Sequence, residues 1–382
     1  MAIQAKAKIE VVVLPLEDIE QESTAVLSVS QLMWMRFRKN KPAVIGGIFL
    51  IIMYLAMIFS GFISPYGVSE THQKHPGAAP NKVRFVDVAG GFHIQPFVYG
   101  YDRKVDPITF KPTFSEDPSK FYQIKLFVKG TPYDILGIVK WDIHLFGVDQ
   151  PGKVFLLGTD TNGRDLFTRI LYGARVSLSV GLVGVLLSLV VGTVLGVAAG
   201  FYGGLFDMVL QRLIEVLQSF PQIPLWLALA SAVPVNWDPI KVYFGITIVL
   251  SVVNWGGLAR QVRGKVLSLR ESTYVTAARY TNCSDWRIIT RHLLPNTLSH
   301  VLVVATLSIP GMILGETALS FLGLGIRPPM VSWGVLISDM QSLRVFLTQP
   351  WLITPAIFVV STIIAYNFLG DGIRDAADPF SS

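Results

Sequence analysis

The chain has 382 residues and a formal net charge of +6, with 51% hydrophobic but only 15% charged residues. Ordinary soluble domains carry roughly a quarter charged residues, so the composition excludes a typical soluble globule and indicates a membrane protein. A single cysteine, Cys283, excludes an internal disulfide framework and a cysteine-rich metal site, and the positive balance is assigned to basic loops at a membrane rather than to nucleic acid.

Residues 1–42 read as a tail followed by an amphipathic segment. Glu10, Glu17, Asp18, Glu20 and Glu22 are mixed with apolar residues, without the charged-then-apolar order of a cleaved signal. The first apolar run, Ala43 to Ile63 within a unit of residues 43–65, is therefore expected to be an uncleaved anchor. Further runs lie at about Val176–Ala199, Met208–Val233, Val242–Leu258, Leu298–Leu319 and Trp351–Leu369. Each approaches the ~20 residues needed to cross a bilayer. The sequence thus predicts an all-α membrane protein of about six transmembrane helices, five of them in a core of residues 156–382. The third is interrupted by Arg212, Glu215, Pro221 and Pro224.

Arg36, Arg38, Lys39 and Lys41 precede the first span, and Arg260, Arg263, Lys265, Arg270, Arg279, Arg287 and Arg291 fall between the fourth and fifth. With six spans both groups share a side, which the positive-inside rule makes the cytoplasm, together with both termini. Residues 66–155 then lie outside. Runs such as FYQIKLFVKG and FHIQPFVYGY predict an extracytoplasmic insertion of some β content.

No catalytic motif is present. There is no GxxxxGK phosphate loop followed by Ser or Thr, and neither HExxH nor GxSxG. His72 and His75 have helical ligand spacing, but Pro76 follows them directly and favours a solvated loop. No catalytic, cofactor or metal residue is assigned. Gly192, Gly196 and Gly200 recur every four residues and place small residues on one helix face. That face meets either another helix of this chain or a partner subunit. Ionisable residues inside spans are costly and become functional candidates. Glu316 either lines a translocation path or bonds a neighbouring helix. Arg212 and Glu215, three apart, read as a local charge neutralisation.

The segment between the fourth and fifth spans, about 259–297, contains TAARYTNCSDWRIITRHLLPN. Residues 274–280 favour a helix, and Asn282 tolerates the left-handed conformation that closes one. Ser284 caps a second helix with Asp285 in its first turn, and Pro295 ends or kinks it. Two short helices at an angle would suit a groove on a soluble partner; a basic loop resting on lipid is the alternative.

This stretch resembles the EAA loop of bacterial ABC importer permeases. Ala277, Ala278, Leu294 and Pro295 match at the family's spacing, whereas Thr276 stands at its usual Glu and Asn282 at its Gly. With Thr276 there, an ion pair from that Glu to an ATPase is not expected. LLGTDTNGRDLFTRILYGARVSL, GFYGGLFD, LGETALSFLGLGIRPPMVSWG and LGDGIRDAADP are similar to blocks of the dipeptide, oligopeptide and nickel branch, specifically its second, C-type permease subunit. The resemblance implies a coupling loop including Thr276, Ala277, Ala278, Arg279, Asn282, Asp285, Leu294 and Pro295. It implies as partners a second permease, two ATPases that bind ATP and Mg, and an extracytoplasmic solute-binding protein. It also implies a bacterial or archaeal cytoplasmic membrane, and a cargo of peptides, nickel chelates or oligosaccharides. Two other classes stay open on the residues alone. One is an ion-coupled secondary transporter, for which Glu316 and the Pro221/Pro224 break qualify; the other is a membrane-anchored receptor or enzyme acting through residues 66–155.

Overall fold

The computed structural model describes residues 29–377, apart from 106, 108–111, 136 and 235. The expected tail up to residue 28, and residues 378–382 with Pro379 of the last block, lie outside the described residues.

Helix α1 (Val29–Lys39) ends in Arg36, Arg38 and Lys39, and α2 (Lys41–Ile58) follows at once. Asn40 caps α2 through Ala43 N at 3.2 Å, and Pro42 occupies its first turn, where no N–H is needed. A short α3 (Ser60–Ile63) leads to the insertion. There β1 (Arg84–Val86), β2 (Phe92–Val105), β3 (Pro112–Ile135) and β4 (Val139–Val148) form an antiparallel sheet in the order β1-β2-β3-β4. β3 has 24 residues because it serves two partners in series. Pro112 to Gln123 pair with β2, and Ile124 to Ile135 pair with β4. Phe97, Val98 and Tyr99 of β2 are buried, and Asn81 links this strand to Phe155 by donating to Tyr99 O at 3.3 Å and accepting from Phe155 N at 2.7 Å.

The remaining elements are α4 (Leu166–Tyr202), α5 (Gly204–Ser219), α6 (Gln222–Ser231), α7 (Pro239–Arg270), α8 (Thr273–Tyr280), α9 (Asp285–Ile288), a π turn (Ile289–Leu293), α10 (Leu294–Phe321), α11 (Trp333–Ser338), α12 (Leu343–Thr348) and α13 (Thr354–Ala377). Five helical segments are long and apolar enough to cross a membrane: α2, α4, α7, α9 to α10, and α13 with the 3-10 turn before it. The expected third span is not one straight helix. It is the pair α5 and α6, bent by 91°, and a sixth crossing exists only if this pair is taken as one. Pro221 has no N–H, and it holds Phe220 extended (φ −84°, ψ 140°), as a residue before proline prefers.

α4 lies at the centre. It shares its most extensive contact with α7 and also meets α10, α11 and α2. Its 37 residues run ~55 Å at 1.5 Å per residue. Its first turn adjoins the sheet, with Phe146 and Phe167 rings 6.0 Å apart. Its last turn joins a cluster of Val197 and Phe201 with Val275 of α8. The sheet and α8 therefore stand at opposite ends of the bundle.

Candidate functional site

The long helices α7 and α10 absorb most of the predicted 259–297 loop. α7 stays helical to Arg270, and backbone helix resumes at Asp285. Only the stretch from Glu271 to Ser284 departs from these two rods, and α8 occupies most of it. The second of the two expected short helices is instead the start of a long one. α9 passes through the π turn into α10, where Pro295 falls in the first turn. Pro295 does not end the helix. The π turn carries the irregularity just before it, with Leu294 N bonding to Ile289 O, five residues back. Ser284 stands at the N-cap of α9 but makes no side-chain capping bond.

α8 closes in a Schellman arrangement. Cys283 N bonds to Ala278 O at 3.1 Å and Asn282 N to Arg279 O at 3.0 Å, with Asn282 at φ +57°. One face of α8 turns inward. Val275 and Ala278 are buried against Phe201 of α4, Val262 and Val266 of α7, and Ile288 and Leu293. Ala278, expected at the partner contact, is thus part of this chain's own core, because it lies three residues from Val275 on the same face.

The outward face carries Thr276, Ala277, Arg279 and Asn282, all exposed, with Asp285 exposed at the start of α9. Thr276 Oγ1 donates to Ser272 O at 3.1 Å. Arg279 lies over the Phe201 ring at 5.3 Å. Leu294 is half-buried and Pro295 exposed. Sequence reasoning passed over three aromatic side chains here: Tyr274, Tyr280 (88% exposed) and Trp286 (75% exposed). Their signal was available, since exposed aromatic residues flanking a polar turn are typical of contact surfaces. Between α8 and the helix that follows lies a recess of about 360 Å³ holding Tyr274, Ala277, Cys283, Arg287 and Arg291, with no carboxylate among its described lining residues.

The same end of the bundle is braced by residues of the GFYGGLFD block. Gly203 and Gly204 adopt φ +66° and +62° and turn α4 into α5. Asp207 then receives both Arg263 Nε and Nη2, each at 2.5 Å, a two-point pairing suited to guanidinium. Arg270 Nη1 donates to the Gly200 carbonyl at 3.3 Å. The expected neighbours Arg212 and Glu215 are paired at 2.7 Å and exposed.

The three glycines meet α7 of the same chain. An added Cβ would lie 2.9 Å from Trp255 O at Gly192, 2.5 Å from Ala259 O at Gly196 and 2.9 Å from Arg263 O at Gly200. Glu316 is fully buried. It accepts from Ser177 Oγ of α4 at 2.9 Å and from Ser320 Oγ at 2.7 Å. Ser177 Oγ in turn accepts from Trp333 N of α11 at 3.1 Å. Glu316 thus ties α10 to α4 directly and to α11 through Ser177, which is the bond to a neighbouring helix that the sequence offered as one reading.

At the far end, the GTDTNGRD block builds a latch. Asp160 accepts from the Asn162 and Arg164 amides at 2.9 Å each, from Arg164 Nε at 2.8 Å, and from Arg169. Asp165 caps α4 through Thr168 N at 2.8 Å. Thr159 Oγ1 accepts from Ala78 N at 2.8 Å and donates to His75 O at 2.6 Å, which binds residues 75–78 to the start of α4. His72 and His75 are folded against Phe155, with ring centroids at 5.1 and 5.4 Å. They are packing groups there, and no cluster able to hold a metal ion is found among the described residues.

Residues 192–381 match the family model described as "binding-protein-dependent transport system inner membrane component". Residues 28–80 match "N-terminal TM domain of oligopeptide transport permease C". The chain is 44% identical over 240 residues to the oligopeptide transport system permease protein OppC of Haemophilus influenzae, covering 63% of this chain and 74% of the relative. It is 42% identical over 231 residues to the dipeptide transport system permease protein DppC of Bacillus subtilis, covering 60% and 70%. It is 33% identical over 368 residues to DppC of Lactococcus lactis, covering 96% of this chain and 95% of that one, so the match there includes the long segment between α3 and α4. These relatives are transport components, not enzymes. On this combination of motifs, apolar helices and end-to-end similarity, the chain belongs to the family of multi-pass permease subunits of binding-protein-dependent ABC importers.

Proposed function

We propose that this chain is the C-type permease of an importer for peptides, working beside a second, homologous permease. The relatives named for oligopeptide and dipeptide transport support that cargo. Energy comes from ATP and Mg bound on two separate ATPase subunits, since the sequence has no phosphate loop. An extracytoplasmic binding protein delivers the solute. The α8 end faces the cytoplasm with both termini, in a bacterial or archaeal cytoplasmic membrane, and the β sheet stands outside as a docking platform. The Lys and Arg residues near α8 support this orientation.

The observation that carries the coupling role is the α8 surface. Thr276, Ala277, Arg279 and Asn282 stand exposed beside a recess with Arg287 and Arg291, on a helix whose other face is held by the chain's own core. This arrangement suits a groove on an ATPase that presents a complementary acidic side chain. Cys283 lines the recess and reports on it. A thiol probe is expected to react with Cys283 when the ATPases are stripped away and to be blocked when they are bound. The cargo is tested on the purified complex in lipid discs, by stimulation of ATP hydrolysis with peptide-loaded binding protein. Equal Cys283 labelling in both states removes the coupling assignment. Stimulation by a nickel chelate or an oligosaccharide in place of peptides removes the cargo assignment.

A further inference from the structure

Lys265 of α7, His300 of α10 and Arg374 of α13 stand on three different helices and line one cavity of about 620 Å³ at the α8 end of the bundle. Asn296 and Ser299 supply amide and hydroxyl groups beside them, while Val303, Val304 and Leu307 form an apolar wall. None of the described lining residues is acidic. Among the described residues no ion pair involves Lys265 or Arg374, whereas nearby Arg263 is held by Asp207 and Arg270 by Glu271. His300 lies within electrostatic range of both free cations. Lys265 and Arg374, two cations, thus stand beside an imidazole with no carboxylate among the described lining residues, and an anion joining them would offset their mutual repulsion.

The polarity of the cavity is graded along α10. Leu307 lies two turns beyond His300, ~10 Å further from the α8 end at 1.5 Å per residue. Arg374 belongs to the last turn of α13 and Lys265 to the turn before the last of α7, both beyond the apolar stretches of their helices. The cavity therefore has a cationic mouth at the level of lipid headgroups and an apolar flank at the level of acyl chains. Basic pockets between transmembrane helices are suited to anionic headgroups.

We propose that this cavity binds an anionic phospholipid, its phosphate at Lys265, His300 and Arg374 and an acyl chain along Val303, Val304 and Leu307. The apolar wall favours a lipid over a free phosphate, which would use the mouth alone. This role is independent of the cargo, and its test reads no transport.

The assembled importer is placed in discs of phosphatidylcholine with or without phosphatidylglycerol, and retained lipid is counted by native mass spectrometry after release. The wild-type complex is expected to retain phosphatidylglycerol. In Lys265→Gln/Arg374→Gln the apparent affinity should fall roughly 25-fold, about fivefold for each charge lost near an anionic headgroup. Lys265→Arg/Arg374→Lys keeps both charges and should keep the lipid, which separates loss of charge from misfolding. Equal retention by the neutral pair and the wild type overturns the proposal, as does loss in the charge-keeping pair as complete as in the neutral one. A second arm uses Ser299→Cys with Cys283→Ser and a thiol probe. Labelling should slow in phosphatidylglycerol discs and not in phosphatidylcholine alone. Slowing by inorganic phosphate in phosphatidylcholine discs assigns the site to a free anion. Slowing in phosphatidylcholine that vanishes when the partner subunits are stripped assigns it to an acidic protein segment. Either result overturns the lipid reading.

Discussion

Gly196→Ala is the sharpest test of the α4–α7 contact. The new methyl carbon would sit 2.5 Å from Ala259 O and 2.9 Å from Val262 Cβ. Both distances are under the 3.0 Å below which something must shift, and the nearer atom is backbone, which a rotamer change cannot move aside. Overpacking of this kind typically costs ~1–3 kcal/mol. Against it stands the gain of ~1 kcal/mol when alanine replaces glycine in a helix. Gly264→Ala on α7 isolates the difference, because a Cβ there meets nothing within 4 Å and the propensity gain is shared by both variants. Gly196→Ala should therefore be less stable than Gly264→Ala by ~1–3 kcal/mol. That corresponds to a melting gap of several degrees, at roughly 2–4 °C per kcal/mol. Thermal unfolding of the detergent-purified complex, followed by size exclusion, measures it. Gly192→Ala and Gly200→Ala, each with a closest approach of 2.9 Å, should fall between the two. If Gly196→Ala melts at or above Gly264→Ala, the close approach of the two backbones is wrong.

Ala277→Asp places a charge on the exposed face of α8 and should weaken ATPase co-purification without lowering the melting temperature. Ala278→Asp buries a charge beside Val262 and Val266 and should lower the yield of folded protein, at a cost of several kcal/mol; equal melting of the two variants would refute the assigned faces. Asn282→Val opposes φ +57° and should cost ~1–2 kcal/mol locally and reduce ATPase-coupled uptake, while Asn282→Gly keeps both; uptake by the valine variant at the wild-type level would count against the closing turn. Burial, with Lys153 adding to it, lowers the His72 pKa from 6.5 to about 4. The unfolded chain then binds the extra proton between those values, so stability rises with pH from about 4 to 6.5 and is lost on acidification. His72→Gln should flatten that part of the melting-versus-pH curve, and an unchanged slope would show that the imidazole does not carry it.

The apolar spans were legible because hydropathy and length act locally. The positions of α2, α4, α7, α10 and α13 follow from runs that can be counted. Pro221 and Pro224 announced an interruption, but the 91° angle between α5 and α6 depends on where their apolar faces find α7 and α4, which no local signal encodes. The left-handed turn at Asn282 was readable from one side chain's tolerance of positive φ. The burial of Ala278 was not, because a small residue at a turn suits either a partner's groove or the chain's own core. Glu316 left the same ambiguity. Its partners Ser177 and Ser320 are common residues, and Ser177 becomes a partner only when α4 is folded against α10. The aromatic runs of the insertion indicated strands, yet the length of β3 emerges only from its service to two hairpins.

The unbroken passage from α9 through the π turn into α10 gives the molecule a mechanical property. Asp285 to Phe321 is one rod of 37 residues, ~55 Å long at 1.5 Å per residue, against a hydrocarbon core of ~30 Å. It begins beside the exposed turn at Asn282 and reaches past Glu316, where it is fastened to α4 and α11. A tilt of about 5° about the fastening at Glu316 would move the Asp285 tip, ~47 Å away at 1.5 Å per residue, by roughly 4 Å. Force applied at Asp285 would then reach the far tip past two weak points in the helical ladder, the π turn at Ile289–Leu293 close to the handle and Pro310, which has no N–H to bond the preceding turn.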